Sequence, residues 1–142
     1  MFHNKIFMIT VWVWAIAQII KVIIGVVTEK RFNFRWFVGT GGMPSSHAAG
    51  VTALATTCGI QEGFQSAAFA IAAVFAIVTM FDAQGVRRST GQQAVILNHI
   101  LDNMYEGRLE ADRLKELIGH TPAQVLAGCL LGIFLGYFFY SL

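Results

Sequence analysis

The chain has 142 residues, 56% of them hydrophobic and only 13% charged, with a formal net charge of +2 and a mean hydropathy of +0.61. That length suits one domain, and a soluble domain of this size cannot bury so much apolar surface, so the composition points to a membrane. The small net charge, without a basic stripe carrying interleaved aromatics, argues against a nucleic-acid partner.

The apolar residues fall into segments that read in chain order as helices. About 20 residues at about 1.5 Å each cross a bilayer core, and the predicted spans are 6–27, 44–59, 64–81 and 121–141. The first carries Gln18 and Lys21 and has no small-residue cleavage site, so it reads as a retained helix rather than a signal peptide. The second is short and rich in Ala, Thr and Gly. It crosses only by extending back through Pro44 or by being shielded among the other helices. Between the third and fourth lies one polar excursion, 89–119. There Thr90 with Gln93 resembles a capping box, and Leu97, Ile100, Leu101 and Met104 recur at helical spacing. Gly107 then interrupts before Leu109, Leu114, Leu117 and Ile118 mark a second helix. The expected fold is therefore all-α: a single domain, 1–142, forming an integral membrane bundle of about four transmembrane helices with a cytoplasmic amphipathic helical hairpin.

Lys30, Arg31 and Arg35 follow the first span, and Arg87, Arg88, Arg108, Arg113 and Lys115 follow the third, whereas the turn between spans two and three holds only Glu62. The positive-inside tendency puts both rich loops in the cytoplasm and both termini outside, in a multi-pass protein of the cell membrane. Cys58 and Cys129 lie in apolar helices without metal-ligand spacing and read as small core residues. Gly128, Gly132 and Gly136 recur every four residues along the last span. Such a stripe admits a close helix neighbour, either the Ala- and Thr-rich second helix or a second copy in a homodimer.

Polar residues cluster where the spans begin and end. Gly-Gly-Met-Pro-Ser-Ser-His, 41–47, frees the backbone at Gly42, opens a helix at Pro44, and sets Ser45, Ser46 and His47 on its first turn. A helix start presents unpaired amides and positive dipole, which suit a phosphate, while the hydroxyls read equally as caps. Asp82-Ala83-Gln84-Gly85-Val86-Arg87-Arg88 closes the third span. A carboxylate beside two guanidinium groups makes a phosphate clamp with its own orienting partner, whereas the arginines alone would be an orientation signal. Gly119-His120-Thr121-Pro122-Ala123-Gln124 opens the fourth. Capping accounts for Thr121, Pro122 and Gln124 but leaves His120 unexplained. Two histidines at helix mouths on one face, with Lys21, Arg35, Arg87 and Arg88 near in topology, fit a phosphomonoester. One imidazole can attack phosphorus, the other can protonate the leaving alkoxide, and the cations neutralise the oxygens. His3 and His99 fall outside this set as surface residues.

Pro44-Ser45-Ser46-His47 resembles the Pro-Ser-Gly-His signature of the type 2 phosphatidic acid phosphatase and vanadium haloperoxidase superfamily. The run from Gln18 and Lys21 through 41–47, 82–88 and 119–122 is similar to its small divergent bacterial branch, and the likeness covers nearly the whole chain. The resemblance implies that His47 is the acid and His120 the nucleophile. It also implies that Lys21, Ser45, Ser46 and an arginine bind phosphate, without metal or cofactor. Two departures stand out. No Ser-Arg precedes His120, where Leu114 and Lys115 stand, and Gln124 occupies the place of a carboxylate that would steady the histidine. Either Asp82 supplies that carboxylate, or His120 is a weakened nucleophile, or the chain binds without turnover. The leading expectation is a membrane phosphatase acting on a lipid phosphate or diphosphate at the cytoplasmic face through a phosphohistidine; phosphatidic acid, phosphatidylglycerol phosphate and polyprenyl phosphates share the headgroup chemistry. The alternative is a non-catalytic protein that holds anionic lipid headgroups as a transporter, scaffold or regulator. A vanadate-dependent haloperoxidase is a distant third, because a pocket within the membrane favours lipid.

Overall fold

The computed structural model describes residues 4–30, 42–105 and 119–142. The second half of the expected hairpin, 106–118, and Arg35 lie outside them. Among the described residues there are five helices: α1 (Lys5–Glu29), α2 (Ser46–Glu62), α3 (Ala67–Gln84), α4 (Val86–Tyr105) and α5 (Pro122–Ser141). No strand occurs among the described residues. Among the described residues, three helical stretches, Lys5–Thr28, Ala67–Asp102 and Pro122–Ser141, are long and apolar enough to cross a bilayer. The all-α membrane bundle expected from the sequence is thus the observed architecture.

Side-chain size explains how the bundle is layered. The short α2 packs against α1, α3 and α5 and buries Ala48, Ala49, Gly50, Thr52, Ala53, Thr57 and Gly59. None of the large exposed hydrophobic residues lies on it, whereas α3 and α5 turn outward Ile71 (71% exposed), Val78 (60%) and Phe134 (65%). Small residues inside and large ones outside suit a protein whose solvent is hydrocarbon, where close backbone approach rather than apolar burial holds helices together. The hydroxyls of Thr52 and Thr57 bond to the carbonyls of Ala48 and Ala53 in their own helix at 2.7 and 2.8 Å, so neither is left polar in the core.

The glycine stripe of α5 is the seat of α2. A Cβ at Gly128 would overlap the Ser45 carbonyl oxygen, one at Gly132 would overlap Thr52 Oγ1 and the Ala49 carbonyl, and one at Gly136 would lie 3.1 Å from Ala53 Cα. Of the two uses the sequence leaves open, packing within the chain is the one seen. Lys5 Nζ donates to the Tyr140 carbonyl at 3.0 Å and sits 4.8 Å from the centre of its ring, so α1 begins beside the end of α5.

Helix boundaries differ from the predicted ones at three places, each for a local reason. Pro44, preceded by a cis peptide, does not open α2. Ser45 is the N-cap, its Oγ accepting from Ala48 N–H at 3.3 Å, and the helix starts at Ser46. It continues to Glu62 until Gly63 takes φ +87°; Ser66 then caps α3 by accepting from Phe69 N–H at 3.2 Å. The helix expected from Thr90 begins at Val86, directly after Gly85, and the Thr90 hydroxyl bonds back to the Val86 carbonyl at 2.9 Å instead of capping.

Candidate active site

At one end of the bundle the starts of α2 and α5 and the end of α3 are tied together by backbone hydrogen bonds. The Ser45 N–H donates to the Gln124 carbonyl at 3.0 Å, joining the start of α2 to the first turn of α5. Close approach at Gly128 lets the Ser45 peptide lie against α5. The His120 N–H donates to the Ala83 carbonyl at 3.3 Å, joining the start of α5 to the last turn of α3.

These ties bring the two histidines together. Their ring centroids lie 6.4 Å apart with the planes at 77°, so one bound group about 3 Å from each ring can touch both. His47 is exposed, whereas His120, just before the N-cap of α5, is 2% exposed. Asp82 is the neighbour of Ala83, so its Cα lies about 3.8 Å along the chain from the residue that accepts the His120 N–H.

The remaining expected residues fall into three groups. Lys21 reaches the site from α1: it is buried, and its Cγ and Cδ lie 3.0 and 3.1 Å from where a Cβ on Gly42 would stand. Gly42, at φ +87°, thus serves a left-handed backbone and a close approach at once. Ser45, Ser46 and Gln124 sit at the two helix starts. Ser45 caps α2 through its side chain, Ser46 is buried at the first helical position, and Gln124 closes the capping box of α5. Its Oε1 accepts from Thr121 N–H at 3.1 Å, while Thr121 Oγ1 accepts from Gln124 N–H at 3.3 Å. Arg87 and Arg88 stand on the first turn of α4, next to the end of α3; their side chains, like all of Arg35, lie outside the described residues. No cluster of three metal-ligating side chains occurs among the described residues.

Gln18, which the sequence does not assign to the site, is buried at 8% exposure, one turn before Lys21, and so on the same face of α1. The signal was a polar side chain inside an otherwise apolar span, three residues from a buried lysine.

Together the site offers two neighbouring imidazoles, a buried lysine, a carboxylate on Asp82, the residue before the one whose carbonyl accepts the His120 N–H, and the first-turn amides of α2, which have no acceptor within their own helix. Comparison with known proteins agrees with the membrane setting and with the superfamily. The chain is 42% identical over 139 residues to the "Uncharacterized membrane protein YuiD" of Bacillus subtilis (strain 168), covering 87% of this chain and 88% of that protein. No solved structure matches it. The family described as "Divergent PAP2 family" matches residues 2–135, and the chain belongs to that family.

Proposed function

We propose that the protein is a metal-independent phosphatase that hydrolyses a lipid phosphate or diphosphate within the membrane. The observation that carries this reading is the histidine pair, 6.4 Å apart, at two helix starts hydrogen-bonded to each other. The His120 imidazole attacks phosphorus as the bond to the lipid oxygen breaks, and protonated His47 gives its proton to the departing alkoxide. The lipid alcohol leaves, and a phosphohistidine remains. Neutral His47 then takes a proton from water, the water oxygen attacks phosphorus, the P–N bond breaks, and inorganic phosphate departs. Lys21, the amides of Ser46 and His47, and one of Arg87 and Arg88 hold the phosphate oxygens. Asp82 orients His120 and balances its positive charge, since the Gln124 oxygen is engaged by Thr121 N–H.

Phosphate release from a panel of phosphatidic acid, phosphatidylglycerol phosphate and a polyprenyl diphosphate tests the proposal. The purified wild type is expected to release phosphate from at least one of them, and His120→Asn to reduce release by at least about 10³-fold. A phosphohistidine trapped in wild type but not in His120→Asn supports the assignment of nucleophile. Binding of lipid phosphate without release by any member of the panel overturns it in favour of a headgroup-binding protein, the reading to which the missing carboxylate at Gln124 gives weight.

A further inference from the structure

An open groove of about 230 Å³ runs between α1 and α2, lined by Thr10, Val11, Trp14, His47, Gly50 and Val51. Its wall offers little for a polar ligand: the Thr10 hydroxyl is occupied by the Ile6 carbonyl at 2.9 Å, and four of the other lining residues carry apolar side chains or none. At position 50 the lining is backbone, with room for a methyl group but not for a large side chain beside Trp14. A Cβ there would meet Trp14 Cβ at 3.5 Å.

The direction of the groove links it to the histidine pair. His47, the second residue of α2, forms one end of it and is also a member of that pair. From His47 the groove descends one helical turn along α2 to Val51 and, on α1, passes from Trp14 to Thr10. It therefore leads away from Lys21 and Gly42, toward the end of the bundle where Lys5 meets Tyr140. A polar end at the site and an apolar track into the membrane-spanning body match the two halves of an amphiphile. At about 230 Å³ the groove is smaller than a pocket for a whole drug-sized ligand and suits part of one hydrocarbon chain.

We infer that this groove binds a hydrocarbon chain of the lipid whose phosphate sits at His47, so that Trp14, Gly50 and Val51 select for chain-bearing phosphates. The inference rests on the proposed use of the histidine pair as a phosphate site. The test uses purified full-length protein in phosphatidylcholine vesicles with phosphatidic acid carrying a photoreactive diazirine in one acyl chain. Labelling is expected to concentrate on Val11, Trp14 and Val51, and to fall about 10-fold with excess unlabelled phosphatidic acid but not with added phosphatidylcholine. Gly50→Leu, which places a side chain in the groove, and Val11→Trp, at a 42% exposed position of α1, are each expected to reduce that labelling several-fold; Gly50→Ala is the control for the backbone position. Labelling spread evenly over outward residues such as Val78 and Phe134, indifferent to competitor, overturns the groove even if phosphate is released. Headgroup-dependent labelling in the groove with no phosphate released from any lipid leaves the groove standing and removes the hydrolysis.

Discussion

The superfamily resemblance gives position 124 to a carboxylate that steadies the histidine, but here the Gln124 side-chain oxygen accepts from Thr121 N–H at 3.1 Å. Glutamate at this position keeps the same reciprocal cap and adds negative charge at a helix N-terminus, worth about 0.3–1 kcal/mol. Gln124→Glu is therefore expected to raise the melting temperature by a few degrees and to change turnover by less than about 3-fold, because the cap holds the carboxylate away from the imidazole. Asp82→Asn is expected to lower turnover by about 10² or more, since it removes the carboxylate proposed to balance His120, on the residue before Ala83, while keeping its size. Thermal melts and phosphate-release rates on the two variants check both statements. A large gain in turnover for Gln124→Glu would instead make position 124 the working partner. Lys21 shows what one residue's surroundings add: a lysine in an apolar span reads from the sequence as a functional group, but only its packing against Gly42 places it at the start of α2.

Between elements, the contact of α2 with α5 sets the distance between the histidines. Alanine along the glycine stripe is expected to grade in effect. Gly136→Ala is mild, since its Cβ meets Ala53 Cα at 3.1 Å near the far end of the helix. Gly132→Ala, which collides with Thr52 Oγ1 and the Ala49 carbonyl, costs about 1–3 kcal/mol of stability. Gly128→Ala is expected to lower activity more than its melting temperature suggests. Its Cβ overlaps the Ser45 carbonyl, and relief of that overlap moves the start of α2, with His47, away from His120. Activity plotted against melting temperature for the three variants shows whether Gly128 departs from the line of the other two. At the N-terminus of α5, Thr121→Ala removes the N-cap and is expected to cost about 1 kcal/mol, read as a lower melting temperature.

Across the whole molecule, every element of the site lies at one end: the starts of α2 and α5, the end of α3, and Lys21 near the end of α1. The start of α1 and the end of α5 meet at the other, through Lys5 and Tyr140. The arginine- and lysine-rich connections leave from the site end, so the positive-inside tendency predicts that the histidines face the cytoplasm. In a background of Cys58→Ala and Cys129→Ala, single cysteines at Gln65 and Ser141 are expected to react with an impermeant maleimide on intact cells, and one at Ser89 only after permeabilisation. The reverse pattern would place the site outside and change the lipid leaflet on which it acts.

The membrane setting, the helices and their approximate spans were readable along the chain, because hydropathy, span length and capping chemistry are local properties expressed over a few turns. The Thr121-Pro122-Gln124 cap is local in this sense and was legible residue by residue; at the start of α2 the capping hydroxyl of Ser45 was legible too, but the bond of its N–H to Gln124 of another helix was not. The motifs around His47, Asp82 and His120, through residue type and order, carried the expectation of a phosphate chemistry that is proposed for the site. It took the packed bundle to show that the glycine stripe seats α2, that the two imidazoles lie 6.4 Å apart, that Gln18 joins Lys21 among the buried polar residues, and that a groove descends from His47 between α1 and α2. Each of these depends on which faces of distant segments meet, and in a bilayer that choice is made by backbone approach at small residues and by hydrogen bonds between helix ends, which no single segment encodes.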